Sequence, residues 1–319
     1  MTLRCGIIGA GKIGWRYDGG VWDGQRSVSH ASAIDRHPDT TLVAIMDPIL
    51  EARQAFVDTG PYHKDIAVSA DLETFLAQDL DLVAIASPSE NHYHDILACL
   101  EVAVPRLLVE KPVTLIIHDF RDLSHRLQNM HAPPRVVVNF FRRFLPLFHH
   151  LKNHLNSAQG STSVSVNYSR RLDVNGVHLL DVIGFLFDVD DHPPLDWKSR
   201  ANPDNPSFGL TIAGVSITVT GQDLPYHALD IRITDDRGRL SVVQGGRNAT
   251  WEVKEKNPDY SGFSHLSLPE PLLGFETAAD MMRDGTYLAL CNLVDDTKPS
   301  LSPFISANFS QTLMQEALT

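Results

Sequence analysis

The sequence predicts an α/β domain with a doubly wound parallel sheet, followed by an α+β domain with a large, mostly antiparallel open sheet. In the first part of the chain, short apolar runs alternate with helical segments, and residues 9–14 read GAGKIG directly after the first run. From residue 161 onward, small polar residues instead alternate with valine and isoleucine, as in antiparallel strands. We therefore predict two domains, residues 1–140 and 141–319.

The composition excludes several classes of partner. The 319 residues include 27 basic and 39 acidic side chains, a net charge of -12 that argues against nucleic acid or an anionic membrane as partner. Three widely spaced cysteines suit reduced thiols better than a disulfide framework. The N-terminus has no signal-like apolar region, and no apolar run approaches about 18 residues. We expect a cytoplasmic protein that acts on a small molecule.

The glycine hexapeptide predicts a dinucleotide site. Gly9, Gly11 and Gly14 lie between a strand over residues 3–8 and a helix-compatible segment. In such a turn the glycines permit a tight bend and a close approach of the backbone to a pyrophosphate. The N-terminus of the following helix then faces the phosphates.

Asp47 is the predicted ribose ligand. It ends the second apolar run, and the glycine-rich insert over residues 17–29 explains its distance from the hexapeptide. Asp35 has the more usual spacing but reads as the end of a helix. A carboxylate at Asp47 would accept the ribose hydroxyls and repel a 2′-phosphate, which favours NAD over NADP. A turn-forming role before Pro48 is the alternative.

Two further strand ends carry candidate residues. Glu110, Lys111 and Pro112 directly follow the apolar run over residues 107–109. Partial burial of the Lys111 ammonium group is costly unless partners compensate, which indicates a functional site. A lysine that reaches solvent while the proline ends the strand is the alternative. Ser87, Pro88 and His92 follow the preceding strand, and such loops line the ligand crevice of parallel sheets. A capping or surface histidine remains the alternative at position 92.

The second domain contributes His178 and Asp181, three residues apart on one predicted helical face. Asn175 is the predicted N-cap of that helix. A histidine in the first turn lies near the positive helix end, which favours the neutral, proton-accepting form. The alternative is a histidine satisfied by Asp181 and without a chemical role.

The remaining predictions concern packing and metals. Helices over residues 176–188, 275–295 and 304–317 should cover one face of the second sheet, and residues 190–206 look most loop-like. The other face of the sheet must be covered as well, so we predict that copies of the chain associate in a homodimer or homotetramer. His149, His150 and His154 include metal-like i,i+4 spacing, but no acidic ligand is near in sequence, so we prefer an exposed helix face and predict no metal site.

Taken in order, these motifs resemble the Gfo/Idh/MocA family: residues 9–14, Ser87-Pro88 with His92, Glu110-Lys111-Pro112, residues 142–146, and Gly176-x-His178-x-x-Asp181. The resemblance implies a Rossmann domain joined to an open-sheet domain, and NAD(P)-dependent chemistry on sugars, inositols or related polyols, including nucleotide sugars. It also implies that Lys111 is the active-site lysine and His178 the general acid/base. The family's usual Asp four residues before this histidine is Val174 here, and Asp173 is one position away.

The predicted catalytic residues are Lys111, His178 and Asp181. The predicted cofactor contacts are Gly9, Gly11, Lys12, Ile13, Gly14, Asp47, Ser87, Pro88, His92, Glu110 and Lys111. The predicted substrate contacts are Arg142, Arg143 and Asn175. Hydride transfer to NAD is the leading hypothesis; transient use of bound NAD for sugar elimination or epimerisation, and a non-catalytic dinucleotide-binding sensor or assembly subunit, are the alternatives.

Overall fold

The computed structural model describes residues 2–18, 22, 24–25, 27–62, 65–158, 160–199 and 201–319. Its strands are β1 (Leu3–Ile8), β2 (Thr40–Met46), β3 (Ala67–Ser69), β4 (Leu82–Ile85), β5 (Arg106–Val109), β6 (Arg135–Val138), β7 (Ser163–Ser169), β8 (Trp197–Ser199), β9 (Ser207–Ile212), β10 (Val215–Gln222), β11 (Leu229–Asp235), β12 (Gly238–Val243), β13 (Asn248–Lys256), β14 (Ser264–Leu266) and β15 (Glu270–Pro271). Its α-helices are α1 (His30–Arg36), α2 (Leu50–Thr59), α3 (Leu72–Leu76), α4 (His92–Glu101), α5 (Ile117–Asn129), α6 (Pro146–Asn156), α7 (Val177–Phe187), α8 (Ala278–Met281), α9 (Gly285–Val294) and α10 (Asn308–Leu318). None of the helices in these ranges combines the length and apolarity that a membrane span requires.

The chain forms two compact units. The first comprises Met1–Phe144 and Arg283–Ala307, and the second comprises Leu145–Met282 and Asn308–Thr319. The predicted boundary after residue 140 lies close to the first crossing between the units. Residues 283–307 differ from that prediction, because they return to the first unit and place α9 against α1, β5 and β6. The assignment of one function to each predicted domain stays a prediction.

The first unit contains a six-stranded sheet in the order β3-β2-β1-β4-β5-β6, with every neighbouring pair parallel. The predicted doubly wound sheet is therefore confirmed. The strand order reverses between β1 and β4, and ligands of such sheets bind outside the carboxyl ends at that point. All four residues of β4 are buried, as expected for a strand covered on both faces.

The second unit contains a mixed, mostly antiparallel sheet in the order β14-β13-β12-β11-β7-β10-β9-β8, with β15 beside β13. The β7–β10 pair is parallel and the other pairs are antiparallel. In β7 the side chains of Val164, Val166 and Tyr168 are buried, whereas Ser165 and Asn167 are half-buried. This alternation confirms the prediction of an open sheet with one apolar face.

The predicted single helix over residues 275–295 is wrong. The segment contains the four-residue α8, a 3-10 turn over Met282–Asp284, and then α9. The chain passes from the second unit to the first within this turn, so one straight helix cannot serve both cores. The predicted helix over 304–317 divides in the same way after Ala307, where α10 begins. The loop-like segment over 190–206 contains the short strand β8.

Candidate functional site

The glycine turn follows β1, and each of its three glycines has a different environment. Gly9 has a φ of +106°, and a Cβ there would lie 2.5 Å from the carbonyl oxygen of Ala86. A Cβ on Gly14 would lie 2.1 Å from the carbonyl oxygen of Gly9. A Cβ on Gly11 would meet nothing within 4 Å. Gly9 and Gly14 therefore permit the fold of the turn, whereas Gly11 faces open space that a pyrophosphate could fill.

The backbone of this turn offers hydrogen-bond donors. Within the described ranges, we find no acceptor for the N–H groups of Gly11, Lys12 and Ile13. Consecutive donors of this kind form an anion-binding concavity. The Lys12 side chain is exposed beside them. The residues present thus fit the diphosphate of a dinucleotide.

The helix predicted directly after Gly14 is wrong in its position, because α1 begins only at His30. The two segments are nevertheless hydrogen-bonded, since His30 N donates to Ile13 O over 3.0 Å and Ala31 N donates to Gly14 O over 2.9 Å. Ser29 forms a capping box with Ser32, which sets the helix start at this point. The preceding residues are therefore an insertion between the glycine turn and its helix, part of which lies outside the described residues.

Asp47 lies at the carboxyl end of β2 and is 8% exposed. Its Oδ2 accepts the Ala10 N–H over 2.8 Å, and its Oδ1 accepts the Ile49 N–H over 2.9 Å. The carboxylate thus holds the glycine turn against β2. Each oxygen keeps acceptor capacity for a further donor. The turn-forming role before Pro48 and the ribose-binding role are compatible in this geometry.

His92 joins the two loops that sequence reasoning singled out. Its Nδ1 lies 2.8 Å from the carbonyl oxygen of Pro112, and its Nε2 lies 2.9 Å from that of Ser87. The ring is 1% exposed. Both ring nitrogens are directed at backbone carbonyls, and the cofactor contact of His92 stays a prediction. His92 positions the loop of Ser87 and Pro88 relative to the Lys111–Pro112 peptide, which is cis.

Glu110 is the centre of a buried polar network. Its Oε1 lies 3.0 Å from Nε2 of His30 and 2.6 Å from Nδ2 of Asn139, which also donates to Thr286 Oγ1 over 3.2 Å. Burial alone would raise the pKa of the Glu110 carboxyl, but the hydrogen bond and charge of His30, the charge of Lys111 and the Asn139 amide lower it to about 2. Glu110 is therefore an ionised structural anion beside Lys111, and at 7% exposure its carboxylate is committed to this network.

Lys111 itself is half-buried and follows the carboxyl end of β5. Its backbone N–H donates to Glu110 Oε2 over 3.3 Å. The structure places Lys111, Asp47 and the glycine turn at the same edge of one parallel sheet, as predicted. This half of the candidate site lies in the first unit.

The candidate residues of the second unit lie where β7 leads into α7. A π-helical turn over Arg171–Gly176 precedes α7, and Gly176 occupies the N-cap position without a side-chain cap. The N-cap prediction for Asn175 is therefore wrong, because the π-helical turn already supplies acceptors for the first N–H groups of α7. The Asn175 amide donates instead to the carbonyl of Ser169 over 3.0 Å and contacts Nδ1 of His227 over 2.9 Å.

His178 and Asp181 lie in the first turns of α7, as predicted. His178 is half-buried and Asp181 is 1% exposed. Val174, in the place of the expected Asp, is 46% exposed. Asp173, one position away, accepts hydrogen bonds from Arg171 with its two oxygens over 3.0 and 2.6 Å.

Arg142 and Arg143 lie in a 3-10 turn over Phe141–Phe144 and are 4% and 6% exposed. The Arg142 guanidinium lies 4.7 Å from the centre of the Phe141 ring, and Arg143 Nη2 lies 3.4 Å from the carbonyl of Ser306. These contacts are part of the packing of the first unit. The substrate-binding role of both arginines stays a prediction.

The histidines of α6 are half-buried, so the preferred reading as an exposed helix face is wrong. Each ring packs edge-on or tilted against an aromatic ring: His149 on Phe185, His150 on Phe275 and His154 on Trp251. Nε2 of His154 also lies 3.0 Å from Oδ2 of Asp235. In the described ranges of the chain, no group of three or more His, Cys, Asp or Glu side chains is arranged to hold a metal ion.

Sequence reasoning missed several polar residues of the site: His30, Asp95, Asn139, Arg170 and His227. Ser87 Oγ donates to Oδ2 of Asp95 over 2.5 Å, and burial raises the pKa of that carboxyl while the Ser87 hydrogen bond opposes the change. His30 is contained in a small-residue helix whose pattern indicated only packing. No local signal identifies the partners of His30, Asn139 and His227, because their contacts join positions far apart in sequence.

Comparison with known proteins agrees with this geometry. Residues 3–140 match the Gfo/Idh/MocA model of an oxidoreductase family with an NAD-binding Rossmann fold. The N-terminal part of the chain is therefore similar to the NAD-binding domain of that family. An inositol 2-dehydrogenase from Rhizobium meliloti is 25% identical over 258 residues, which are 80% of this chain and 72% of that protein. Another inositol 2-dehydrogenase, from Mycolicibacterium smegmatis, is 26% identical over 199 residues, which cover 58% of this chain and 53% of the relative.

Solved structures share the fold over nearly the whole chain. A 3-ketoreductase from Actinomadura kijaniata in complex with NADP has a TM-score of 0.70 at 17% identity, covering 99% of this chain and 97% of that one. An oxidoreductase from Agrobacterium radiobacter in complex with NAD⁺, L-tartaric acid and magnesium has a TM-score of 0.68 at 16% identity, covering 100% and 96%. These likenesses show that both units have folds found in solved oxidoreductases.

Proposed function

We propose that this protein is an NAD(P)-dependent oxidoreductase that transfers a hydride between a nicotinamide cofactor and a sugar, inositol or related polyol. The glycine turn carries the proposal, because Gly11 faces open space and the neighbouring N–H groups are available to a diphosphate. The names of the inositol 2-dehydrogenases that this chain resembles support the substrate class. Nucleotide sugars belong to the same class.

NAD is the proposed cofactor, with NADP less favoured. The supporting observation is Asp47, whose carboxylate is held at the carboxyl end of β2 by two backbone N–H groups. A fixed negative charge there accepts ribose hydroxyls and repels a 2′-phosphate. Arg53, the nearest cation in sequence, donates instead to the carbonyls of Asp47 and Pro48 over 2.7 and 2.9 Å.

Three side chains carry the proposed chemistry. The nicotinamide, when bound, accepts or returns the hydride. Lys111 donates a hydrogen bond to the reacting oxygen of the substrate and stabilises negative charge on it. His178 takes the hydroxyl proton during oxidation, and Asp181 binds the substrate or orients the imidazole. Glu110 supports Lys111 with a nearby negative charge.

Steady-state kinetics with NAD and a panel of polyols and sugars tests the proposal. Lys111→Met and His178→Asn should each lower kcat about 10²- to 10⁴-fold, because each removes a group that handles the proton. Both variants should still bind NAD, as measured by the quenching of protein fluorescence. Lys298→Met, an exposed lysine on a surface turn, is the control. Wild-type turnover in both variants on a good substrate would contradict the assignment.

A non-catalytic dinucleotide sensor or assembly subunit is the second candidate. The exposed Val174 favours it, because the side chain in the place of the family's usual Asp cannot take part in proton transfer. NAD-induced thermal stabilisation without turnover on the whole panel would support this candidate. Introducing the missing carboxylate with Val174→Asp would then show whether its loss is the cause.

We also propose that copies of the chain associate through the open face of the second sheet, in a homodimer or homotetramer. Ser165 and Asn167 on β7 belong to this face, and they are half-buried rather than covered by helices. Sedimentation equilibrium tests the association. A cytoplasmic location is proposed as well, supported by Cys5, Cys99 and Cys291, all of which are free thiols.

A further inference from the structure

Two buried polar side chains tie the end of β7 to the loop before β11. Ser169, 0% exposed, donates from Oγ to the carbonyl of Tyr226 over 2.6 Å and accepts the N–H of Ala228 over 2.8 Å. Asn175, 7% exposed, donates to the carbonyl of Ser169 and contacts His227. The two segments therefore form one rigid corner, from which Arg170 and His227 reach solvent.

Arg170 and Arg171 are held in an unusual backbone conformation at this corner. Their φ angles are 63° and 73°, in the left-handed region that disfavours residues with a Cβ. Such residues are strained and persist where the surroundings determine them, often at functional sites. Here Asn205, 5% exposed, accepts the Arg171 N–H over 2.8 Å and helps to fix the conformation.

The two arginines differ in their partners. Arg171 pairs with both oxygens of Asp173, so its charge is neutralised. Arg170 has no carboxylate partner within the part of the chain that the structure describes; its Nη1 lies 3.1 Å from Nε2 of His227. The backbone conformation thus directs an uncompensated guanidinium towards an imidazole.

The hydrogen-bond pattern determines the tautomer of His227. The Asn175 amide nitrogen faces both the Ser169 carbonyl and Nδ1 of His227, so it donates one proton to each. Nδ1 therefore carries the lone pair, and Nε2 of the neutral ring carries the proton. Burial and the charge of Arg170 lower the pKa of His227, which agrees with the neutral form. Nε2–H of His227 and the Arg170 guanidinium are then two neighbouring hydrogen-bond donors, and neither offers an acceptor to the other.

We propose that Arg170 and His227 form a site for an oxyanion of the substrate, so that the enzyme prefers sugars or polyols that carry a carboxylate or a phosphate. One oxyanion accepts hydrogen bonds from both donors and neutralises the charge of Arg170. A neutral hydroxyl does not neutralise that charge. Asn175 positions His227 and lies three residues before His178 in the chain, in the π-helical turn that leads into α7. The inference rests on the proposed function, whose reaction it leaves unchanged while it narrows the substrate class.

Matched substrates test this site in the full-length protein. D-Glucose, D-glucuronate and D-glucose 6-phosphate share a ring, as do myo-inositol and its monophosphates. We expect a higher kcat/KM with NAD for the anionic member of a pair, and the carboxylate and phosphate arms identify which oxyanion is bound. Arg170→Gln should lower the preference for the anionic member about 10- to 100-fold, as expected for the loss of a charge-assisted contact.

Arg171→Gln is the matched control, because it removes an adjacent arginine that is already paired with Asp173. It should leave the charge preference unchanged. Equal kcat/KM values for neutral and anionic members in the wild type, or a preference that survives Arg170→Gln, would overturn the inference while leaving the proposed reaction intact.

If no substrate is turned over, binding separates the two proposals. Glucuronate and inorganic phosphate are titrated calorimetrically into the NAD-loaded wild type, the Arg170→Gln variant and the Arg171→Gln variant. Binding that Arg170→Gln alone abolishes supports the oxyanion site, even though the proposed reaction has failed. Equal or absent binding in all three proteins rejects it.

Discussion

Nε2 of His30 lies 3.0 Å from Oε1 of Glu110, 80 positions away in the chain, and the imidazole has no exposure to solvent. Glu110 also accepts the backbone N–H of Lys111, the residue on which the proposed chemistry depends. His30 Nδ1 and Asn139 Oδ1 are buried without a hydrogen-bond partner among the described residues. The Glu110 carboxylate therefore depends on a small number of contacts, and its removal should be measurable.

Acid stability tests the ionised state of Glu110. Its pKa is lowered from 4.5 to about 2, so its contribution to stability is present above pH 4.5 and is lost as the pH falls towards 2. Glu110→Gln should lower the free energy of unfolding at pH 7 by up to about 3 kcal/mol. The substitution should also reduce the decline in the free energy of unfolding between pH 5 and pH 2. Urea unfolding at several pH values measures both effects, and parallel curves for the two proteins would contradict the pairing.

The glycine turn offers a matched pair of substitutions. Gly11→Ala places a Cβ in open space, so the melting temperature should change little while NAD affinity falls at least tenfold through steric conflict with the diphosphate. Gly14→Ala places a Cβ 2.1 Å from the Gly9 carbonyl oxygen, so it should destabilise the fold itself. Thermal denaturation and NAD titration distinguish the two effects. Unchanged NAD affinity in Gly11→Ala would exclude the diphosphate from this position.

Asp47 should control the choice between NAD and NADP. Asp47→Ser removes the negative charge but leaves a short acceptor for the Ala10 and Ile49 N–H groups. We expect the KM for NAD to rise about tenfold and the ratio of kcat/KM for NAD over NADP to fall by more than that. Exposed Asp58, on α2, provides the control through Asp58→Ser. An unchanged cofactor ratio in Asp47→Ser would assign Asp47 a purely structural role.

His92 should act through position rather than contact. His92→Ala removes the imidazole that lies against the carbonyls of Ser87 and Pro112, so the carbonyl that accepts its N–H loses that donor, at a cost of about 1–3 kcal/mol in the free energy of unfolding. Because the Lys111–Pro112 peptide loses its support, kcat should fall more than the affinity for NAD. His94→Ala, two residues away and exposed, should change stability by less than about 0.5 kcal/mol. Equal effects of the two substitutions would refute the positioning role.

Local patterns predicted the parallel sheet and the strand ends that carry the site. The apolar runs before Gly9, Asp47 and Lys111 are strands, and each candidate follows its strand at the predicted edge. These predictions succeed because strand identity and turn chemistry depend on a few adjacent residues. Parallel topology then places all carboxyl ends together without further information.

The residues around the candidates could not be predicted in the same way. Asn175 was expected to cap a helix and to contact the substrate, and its amide lies against His227, 52 positions away. The helix predicted over 275–295 was divided by the return of the chain to the first unit. In both cases long-range packing overrides local propensity, because a buried polar group or apolar helix face takes the partner that tertiary structure supplies.

By itself, the sequence determined the doubly wound sheet, the glycine turn, Asp47 at the end of β2 and Lys111 at the end of β5. Tertiary structure alone decided that His30 lies against the Glu110 carboxylate, that His92 bridges two loops, and that Arg170 lies against Nε2 of His227. The physical reason is the distance in sequence between the residues that determine each feature. Turns and strand ends are written in adjacent residues, whereas protonation states and hydrogen-bond partners depend on groups that folding brings together from distant positions.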